Sequence, residues 1–370
     1  MENTSDNTMR IPVLDIAGSG TDPTVAKAIV DAAATYGFIY IRNQGEDIPV
    51  EAINNAFELS KKFFASPIEE KEPCKILENN RGWSGMHSET LDAKHQRTGD
   101  FKEAFNFGEF DNGKAQQVLS PALANHEKAA SDFSDYCKNL VLKILTLFAI
   151  GLEIDNTSGG SEWFSSRHKN GPSGCTLRLL HYPAIPPGSD FQPEVDIRAG
   201  AHSDYGSITL LFQRPGQPGL EIVPPSSHPE DRADGTVVAE TQWMPVPVFP
   251  PGTENDPSPP ILVNIGDLLS YWTNNLLKST VHRVVFPKGE AEGGADRYSI
   301  AYFAHPVSST VLESIPSKMV RNLKQLNGVG PEGKKAITAH DHLMGRLKAS
   351  YLDLYQDDKD GEEERLKETA

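Results

Sequence analysis

The 370-residue chain is short of cysteine, of positive charge and of long apolar runs. Its three cysteines, Cys74, Cys137 and Cys175, lie far apart and form no CxxC pair. That excludes a disulfide framework or a zinc finger and suits a reducing compartment. Against 51 Asp and Glu there are only 35 Lys and Arg, a formal charge of -16. Phosphate binding needs a basic surface, so no nucleic-acid partner is expected. Part of the acidity lies in the closing stretch "QDDKDGEEERLKETA", which reads as a solvated tail. The most apolar stretch, "LVLKILTLFAIGL" at 140–152, is interrupted by Lys143 and too short to span a bilayer. No basic-then-apolar leader opens the chain. The expectation is a cytoplasmic protein without a membrane partner.

The apolar fraction of 38% is that of a globular chain with material for a core. The periodicity predicts a short strand at 11–14, a helix over 25–35 ending at Gly37, a strand in "FIYIRN" and a helix over 50–64. Residues 68–120 read as an ordered excursion with little regular structure. A long helix is predicted over 121–151, with Phe133, Cys137, Leu140, Ile144 and Phe148 on its buried face. From about Cys175 the texture changes to short β-branched and aromatic runs: "TLRLLHY", "SITLLFQ", "GLEIV", "QWMPVPV", "ILVNIG", "HRVVF" and "RYSIAYF". Two inserts, "PPSSHPEDRADGT" and "PPGTENDPSPP", have surface-loop composition. Many short strands closed by turns predict a barrel or jelly roll preceded by helices. A last helix over 334–355 is expected to pack outside it. The expected division is an N-terminal segment at 1–120, a long helix and linker at 121–170, the β core at 171–310, and a C-terminal helix with acidic tail at 311–370.

Chemistry enters at "GAHSDYGSITLLFQ". Residues i and i+2 of a strand share a face, so His202 and Asp204 can converge on one ion. The triplet alone is a weak signal. "NIGDLLSYWTNNLLKSTVHRVVFP" brings His282 to the start of another apolar run, and a turn at Asn274 and Asn275 would return it across the same sheet. Two imidazoles and one carboxylate leave several coordination positions open, the pattern that suits non-heme Fe(II) rather than closed zinc. In "DRYSIAYFAHP", Arg297 and Ser299 alternate onto one face, continued by Ala301 and Phe303. An arginine inside a barrel is costly unless paired, so Arg297 meets either an internal Asp or Glu or the carboxylate of a ligand. Arg178, Leu180 and Tyr182 share a face of "TLRLLHY", and Tyr182 can offer a phenol to the same carboxylate. His181 faces away and reads as structural. His340 and His342, at i and i+2 of a helix, do not share a face and read as solvated. His87 and His95 read as surface, and His305 as a loop histidine.

The stretches "HYPAIPP", "GAHSDYGSITLL", "VNIGDLLSYWTNNLLKSTVHRV" and "RYSIAYF", in that order, resemble the isopenicillin N synthase-like family of Fe(II)- and 2-oxoglutarate-dependent oxygenases. "IPVLDI" and "AATYGFIYIRNQG" resemble its leading segment, so the likeness covers most of 11–310. It implies an α+β fold whose core is a double-stranded β-helix (jelly roll), with flanking N-terminal and C-terminal helices. It implies His202, Asp204 and His282 as iron ligands, Arg297 and Ser299 on the distal carboxylate of 2-oxoglutarate, and Tyr182 assisting. Fe(II), 2-oxoglutarate and O2 would then serve the hydroxylation, desaturation or cyclisation of a small organic molecule, in secondary metabolism. Leu180 departs from the Asn common in plant members, so a polar contact to the co-substrate is absent or supplied otherwise. Isopenicillin N synthase keeps the Arg-x-Ser pair without 2-oxoglutarate, which leaves a 2-oxoglutarate-independent Fe(II) oxidase as an alternative. An inactive small-molecule-binding barrel is the other. For the substrate, Phe303 sits where the family places an aromatic, while Arg178, Trp83 and Phe105 are candidates for the pocket and its mouth. A substrate contact at Arg178 would favour an acidic or phenolic molecule. Oligomeric state is not legible.

Overall fold

The computed structural model describes residues 10–350, apart from 19, 93, 170, 186, 187, 193, 194, 225–241, 287–293 and 323–335. The acidic tail, most of the insert beginning at 224 and the two ends of the last expected helix lie outside the described residues.

Helix α1 (Pro23–Tyr36) begins where the Asp22 carboxylate accepts from the Thr24 and Val25 N–H groups, with proline at the first position. It stops at Gly37, whose φ of 68° only glycine adopts without strain. A side chain there would also collide: a Cβ would lie 2.4 Å from the Lys278 carbonyl oxygen. Helix α2 (Val50–Phe64) follows as its pattern predicts. The long helix is divided. Pro121–Ala124 forms one turn, and α3 (Glu127–Gly151) restarts after His126 leaves helical geometry at φ -123° and ψ 15°. Its buried face includes all five residues read from the sequence.

The strands are β1 (Val13–Leu14), β2 (Phe38–Ile41), β3 (Gly82–Ser84), β4 (Glu103–Phe107), β5 (Thr176–Tyr182), β6 (Ala199–His202), β7 (Ile208–Phe212), β8 (Leu220–Ile222), β9 (Met244–Pro245), β10 (Ile261–Ile265), β11 (His282–Val284) and β12 (Arg297–Ala304). Eight form a major sheet in the order β1-β2-β10-β7-β12-β5-β4-β3, and four a minor sheet in the order β6-β11-β8-β9. Every described pairing between these strands is antiparallel except β1 with β2. Short helices α4 (Asp267–Trp272) and α5 (Ala339–Ser350) complete the elements used below.

Alternation along the major sheet sorts its side chains into two cores. Leu177, Leu179, Ile208, Leu210, Phe212, Ile300 and Tyr302 face α1, α2 and α3 in the larger one. Phe38, Tyr40, Leu180, Tyr182, Leu262 and Ala301 face the minor sheet, meeting Leu220, Ile222 and Val284. This is the two-layered β core that the sequence predicts. The 68–120 excursion contributes more than expected. All five residues of β4 are buried, and the strand extends the major sheet beside β5. "EAFNF" is too short, and too interrupted by polar residues, to stand out from its loop surroundings. The insert at 250–260 is an ordered turn held to the sheet by Arg42, whose Nε donates to Asp256 at 2.8 Å. Among the described residues no helix is long and apolar enough to cross a membrane.

Candidate active site

His202 and His282 meet because they are cross-strand partners of β6 and β11 in the minor sheet. Residues directly opposite in an antiparallel pair hold their Cβ atoms about 5 Å apart, and the two imidazole centroids are 4.4 Å apart. This corrects two details of the sequence reading. His282 does not return to the sheet of β10; α4 and a turn with Asn274 and Asn275 at positive φ carry the chain across to the other sheet. Asp204 is not on the strand of His202 either. It lies in the turn beyond it, where its carbonyl accepts from Asp267 N–H at 2.7 Å.

The three side chains converge. Asp204 Oδ1 stands 3.9 Å from His202 Nε2 and 3.8 Å from His282 Nε2, and one ligand atom from each residue lies within 4.8 Å of the others. Each imidazole is oriented from behind. His202 Nδ1 donates to the Gly200 carbonyl at 2.7 Å and His282 Nδ1 to the Thr280 carbonyl at 3.2 Å. A carbonyl can only accept, so the proton sits on Nδ1 and the Nε2 lone pair faces the centre. Asp204 Oδ2 accepts from Thr209 Oγ at 2.6 Å and from Asn264 Nδ2 at 2.7 Å, which leaves Oδ1 for a metal. Burial alone would raise the Asp204 carboxyl, but the two imidazoles and these hydrogen bonds outweigh it and hold it below its ordinary range. Burial, aided by His282, pulls the His202 imidazole down to about 3, so it stays neutral and free to ligate. The donor set, its protonation and its three-sided placement fit a divalent cation with open positions on the cavity side.

A cavity of about 340 Å³ opens beside this centre. Arg297 borders it, 1% exposed and with no carboxylate within 4 Å among the described residues. Its contacts are to neutral groups: the Gln217 carbonyl at 3.3 Å, Ser299 Oγ at 3.3 Å, Gln213 Oε1 at 3.5 Å and the Tyr182 ring with its centroid at 5.0 Å. Burial lowers its pKa from the ordinary value, yet a guanidinium remains a cation in any protein. An internal salt bridge, one of the two readings open in the sequence, is therefore not formed among these residues.

Ser299, Tyr182, Phe303 and Arg178 border the same cavity, but Trp83 and Phe105 do not. Phe105 is fully buried on the opposite face of β4 against Phe63 and Phe107. Trp83 is buried with it, its indole N–H donating to Glu103 at 3.0 Å. Both are core residues, because their strands turn those positions away. Arg178 is ion-paired with Glu89, which removes the reason to expect an acidic substrate there.

Two histidine expectations also change. His305 is buried and borders the cavity, with burial and then His342 pulling it down to about 3. His342 is half-buried beside Tyr271, and burial lowers it too. His340 is exposed but faces the cavity mouth. Helix α5 does not merely lie outside the barrel: Leu343, Met344 and Leu347 form part of the cavity wall. His181 is structural as read, stacked on Tyr298 and bonded to Glu103. Asn264, Thr209, Lys102 and Asn106 went unnoticed in the sequence. Asn264, a lone amide inside the apolar run "ILVNI", carried the one usable signal.

Residues 174–306 match the family model described as the 2OG-Fe(II) oxygenase superfamily, and 11–127 match that of the "non-haem dioxygenase in morphine synthesis N-terminal". The chain belongs to the 2OG-Fe(II) oxygenase superfamily. The oxygenase is 35% identical to a UPF0676 protein of Schizosaccharomyces pombe over 93% of both chains. It is 32% identical to the 2-oxoglutarate-dependent dioxygenase gloF of Glarea lozoyensis, over 79% of this chain and 85% of the other. A full-length Neurospora crassa enzyme crystallised with alpha-KG and thymine is 30% identical over 93% of this chain and 98% of its own, with a TM-score of 0.71. The isopenicillin N synthase-like resemblance and the double-stranded β-helix are thereby borne out. The oxygenase is an Fe(II)- and 2-oxoglutarate-dependent dioxygenase, with His202, Asp204 and His282 as the iron-binding triad.

Proposed function

We propose that the enzyme oxidises a small organic molecule in the cytoplasm, as a step of secondary metabolism, by hydroxylation, desaturation or ring closure. The division in this reading is an N-terminal segment at 1–120, a long helix and linker at 121–170, the catalytic β core at 171–310, and a C-terminal helix with acidic tail at 311–370. Arg297, Ser299 and Tyr182 hold the distal carboxylate of 2-oxoglutarate. The observation that carries this assignment is the buried Arg297 guanidinium, uncompensated by any carboxylate among the described residues and bordering the cavity of the triad. A planar fork matches a carboxylate with two parallel hydrogen bonds, and the Ser299 hydroxyl beside it adds a third donor.

When bound, Fe(II) supplies oxygen activation coupled to decarboxylation of the 2-oxo acid. The protein's residues position and protect. Gly200 and Thr280 aim the two imidazoles, and Thr209 and Asn264 leave Asp204 one oxygen to offer. Arg297 fixes the far end of the co-substrate, so its keto acid end falls toward the triad. Leu91, Phe303, Leu343 and Met344 exclude water from the remaining space. Phe303 contacts substrate in this scheme, and Arg178 shapes the wall rather than carrying free charge.

The test is an anaerobic titration of Fe(II)-loaded protein with 2-oxoglutarate, read by its visible charge-transfer band, then a screen of small molecules for stimulated succinate release. His202→Ala should lose both signals. Substrate oxidation and oxygen uptake without succinate would overturn the reading in favour of a 2-oxoglutarate-independent oxidase.

A further inference from the structure

This inference rests on the oxygenase reading and concerns what the substrate end of the cavity recognises. On β4, Phe105 and Phe107 turn into the larger core, while Ala104 and Asn106 turn the other way. Asn106 lies opposite Arg178 of β5, borders the cavity and is 1% exposed. Its amide is held in one orientation, because Nδ2 donates to the Asn80 backbone carbonyl at 3.0 Å and to the Asn80 side-chain carbonyl at 3.2 Å. That leaves Oδ1 buried with no hydrogen-bond partner among the described residues. A buried acceptor stripped of water is costly to leave unpaired, and such groups in native proteins ordinarily meet a donor.

Two cations beside Asn106 are matched by carboxylates. Arg178 is ion-paired with Glu89, and Lys102 with Glu89 at 3.0 Å and with Asp100. Two cations here face two carboxylates, and the remaining arginine at this end of the cavity, Arg81, donates to the neutral Gln116 side-chain carbonyl. Asp100 further accepts from Gln96 and from the Gly200 N–H, which ties the cluster to the strand of His202. Helix α5 supplies the apolar counterpart. Thr338 and Asp341 cap it reciprocally, and His340, Leu343, Met344 and Leu347 then fall at i, i+3, i+4 and i+7 on one face bordering the cavity. Arg346 holds the helix down by pairing with Asp267, at the start of α4.

We propose that Asn106 Oδ1 accepts a hydrogen bond from the substrate, and that the enzyme takes an uncharged molecule bearing an N–H or O–H donor on an apolar frame. Asn106 thereby discriminates among substrates, while Arg297 alone receives a carboxylate, that of the co-substrate.

Indole, 1-methylindole and benzoate test this, being rigid and of similar size. Each is titrated by saturation-transfer NMR into protein loaded anaerobically with Fe(II) and 2-oxoglutarate. Indole should bind roughly tenfold more tightly than 1-methylindole, the scale of one buried hydrogen bond, and more tightly than benzoate. In Asn106→Leu the preference for indole over 1-methylindole should shrink to within threefold, with 2-oxoglutarate affinity unchanged. Equal binding of the two indoles to wild type, a preference surviving in Asn106→Leu, tightest binding of benzoate (a charge drawn to Arg81 or Arg178), or no binding of any probe would each overturn the proposal. The two indoles decide the matter in wild type even if a variant fails to fold. Wild type that does not bind 2-oxoglutarate would instead overturn the oxygenase reading beneath it.

Discussion

Arg297→Met separates a guanidinium kept for a ligand from one kept for the fold. Unliganded, Arg297 is fully buried and among the described residues touches only neutral partners at 3.3–3.5 Å and the Tyr182 ring. Removing one partner of a buried, hydrogen-bonded charge pair costs about 2–5 kcal/mol, or about 30-fold to about 4000-fold in affinity. Ser299 and Tyr182 remain in the variant, so the lower part of that range applies: about 100-fold weaker 2-oxoglutarate binding. Stability should move the other way. An uncompensated buried cation does not stabilise a fold, and an apolar side chain of similar length replaces it at little or no loss. The unliganded variant should therefore melt at or above the wild-type temperature. A co-substrate at one hundred times its Kd stabilises wild type by about 2.7 kcal/mol, and almost none of this should appear in the variant at that concentration. Anaerobic calorimetric titration gives the affinity, and thermal melts with and without 2-oxoglutarate give the stability. Affinity within threefold of wild type would refute the assignment. A collapse in the melting temperature of the unliganded variant would show that the guanidinium serves the fold.

Asn264→Leu removes one of the two donors to Asp204 Oδ2 and should weaken Fe(II) binding about 10- to 100-fold with little change in fold; competition with a chelator, with circular dichroism as control, measures it. Acid stability should fall through His168, whose Nδ1 donates to Phe164 and whose Nε2 accepts from Ser207. Burial lowers its pKa to about 4, below the ordinary 6.5. The unfolded chain thus takes up a proton that the folded one refuses. The contribution is intact above pH 6.5 and lost as the pH falls toward 4, at about 1.4 kcal/mol per pH unit. Urea midpoints at pH 7.5 and 5 should differ less in His168→Gln than in wild type, and an equal difference would exclude His168 as a source.

The order and type of the main elements were legible because they depend on local pattern. Asp22 and Gly37 bound α1, and the spacing of Phe133, Cys137, Leu140, Ile144 and Phe148 sets the buried face of α3. Alternation on β5 and β12 likewise set Arg297, Ser299, Tyr182 and Phe303 toward one side. The identities of the iron-binding residues were legible too, since few arrangements of two imidazoles and a carboxylate beside buried strands have another use. Their meeting was not. It depends on the register that places His202 opposite His282, set by pairing between segments 80 positions apart, and no local pattern encodes such a register. The same holds for burial. Trp83, Phe105 and His305 look alike in sequence as single rings in loops or short strands. Only packing across the sheet turned the first two into the core and brought the third to the cavity. Sequence determined which groups could do the chemistry; tertiary structure decided which of them face one another, because facing requires non-local strand pairing and the exclusion of water that follows from it.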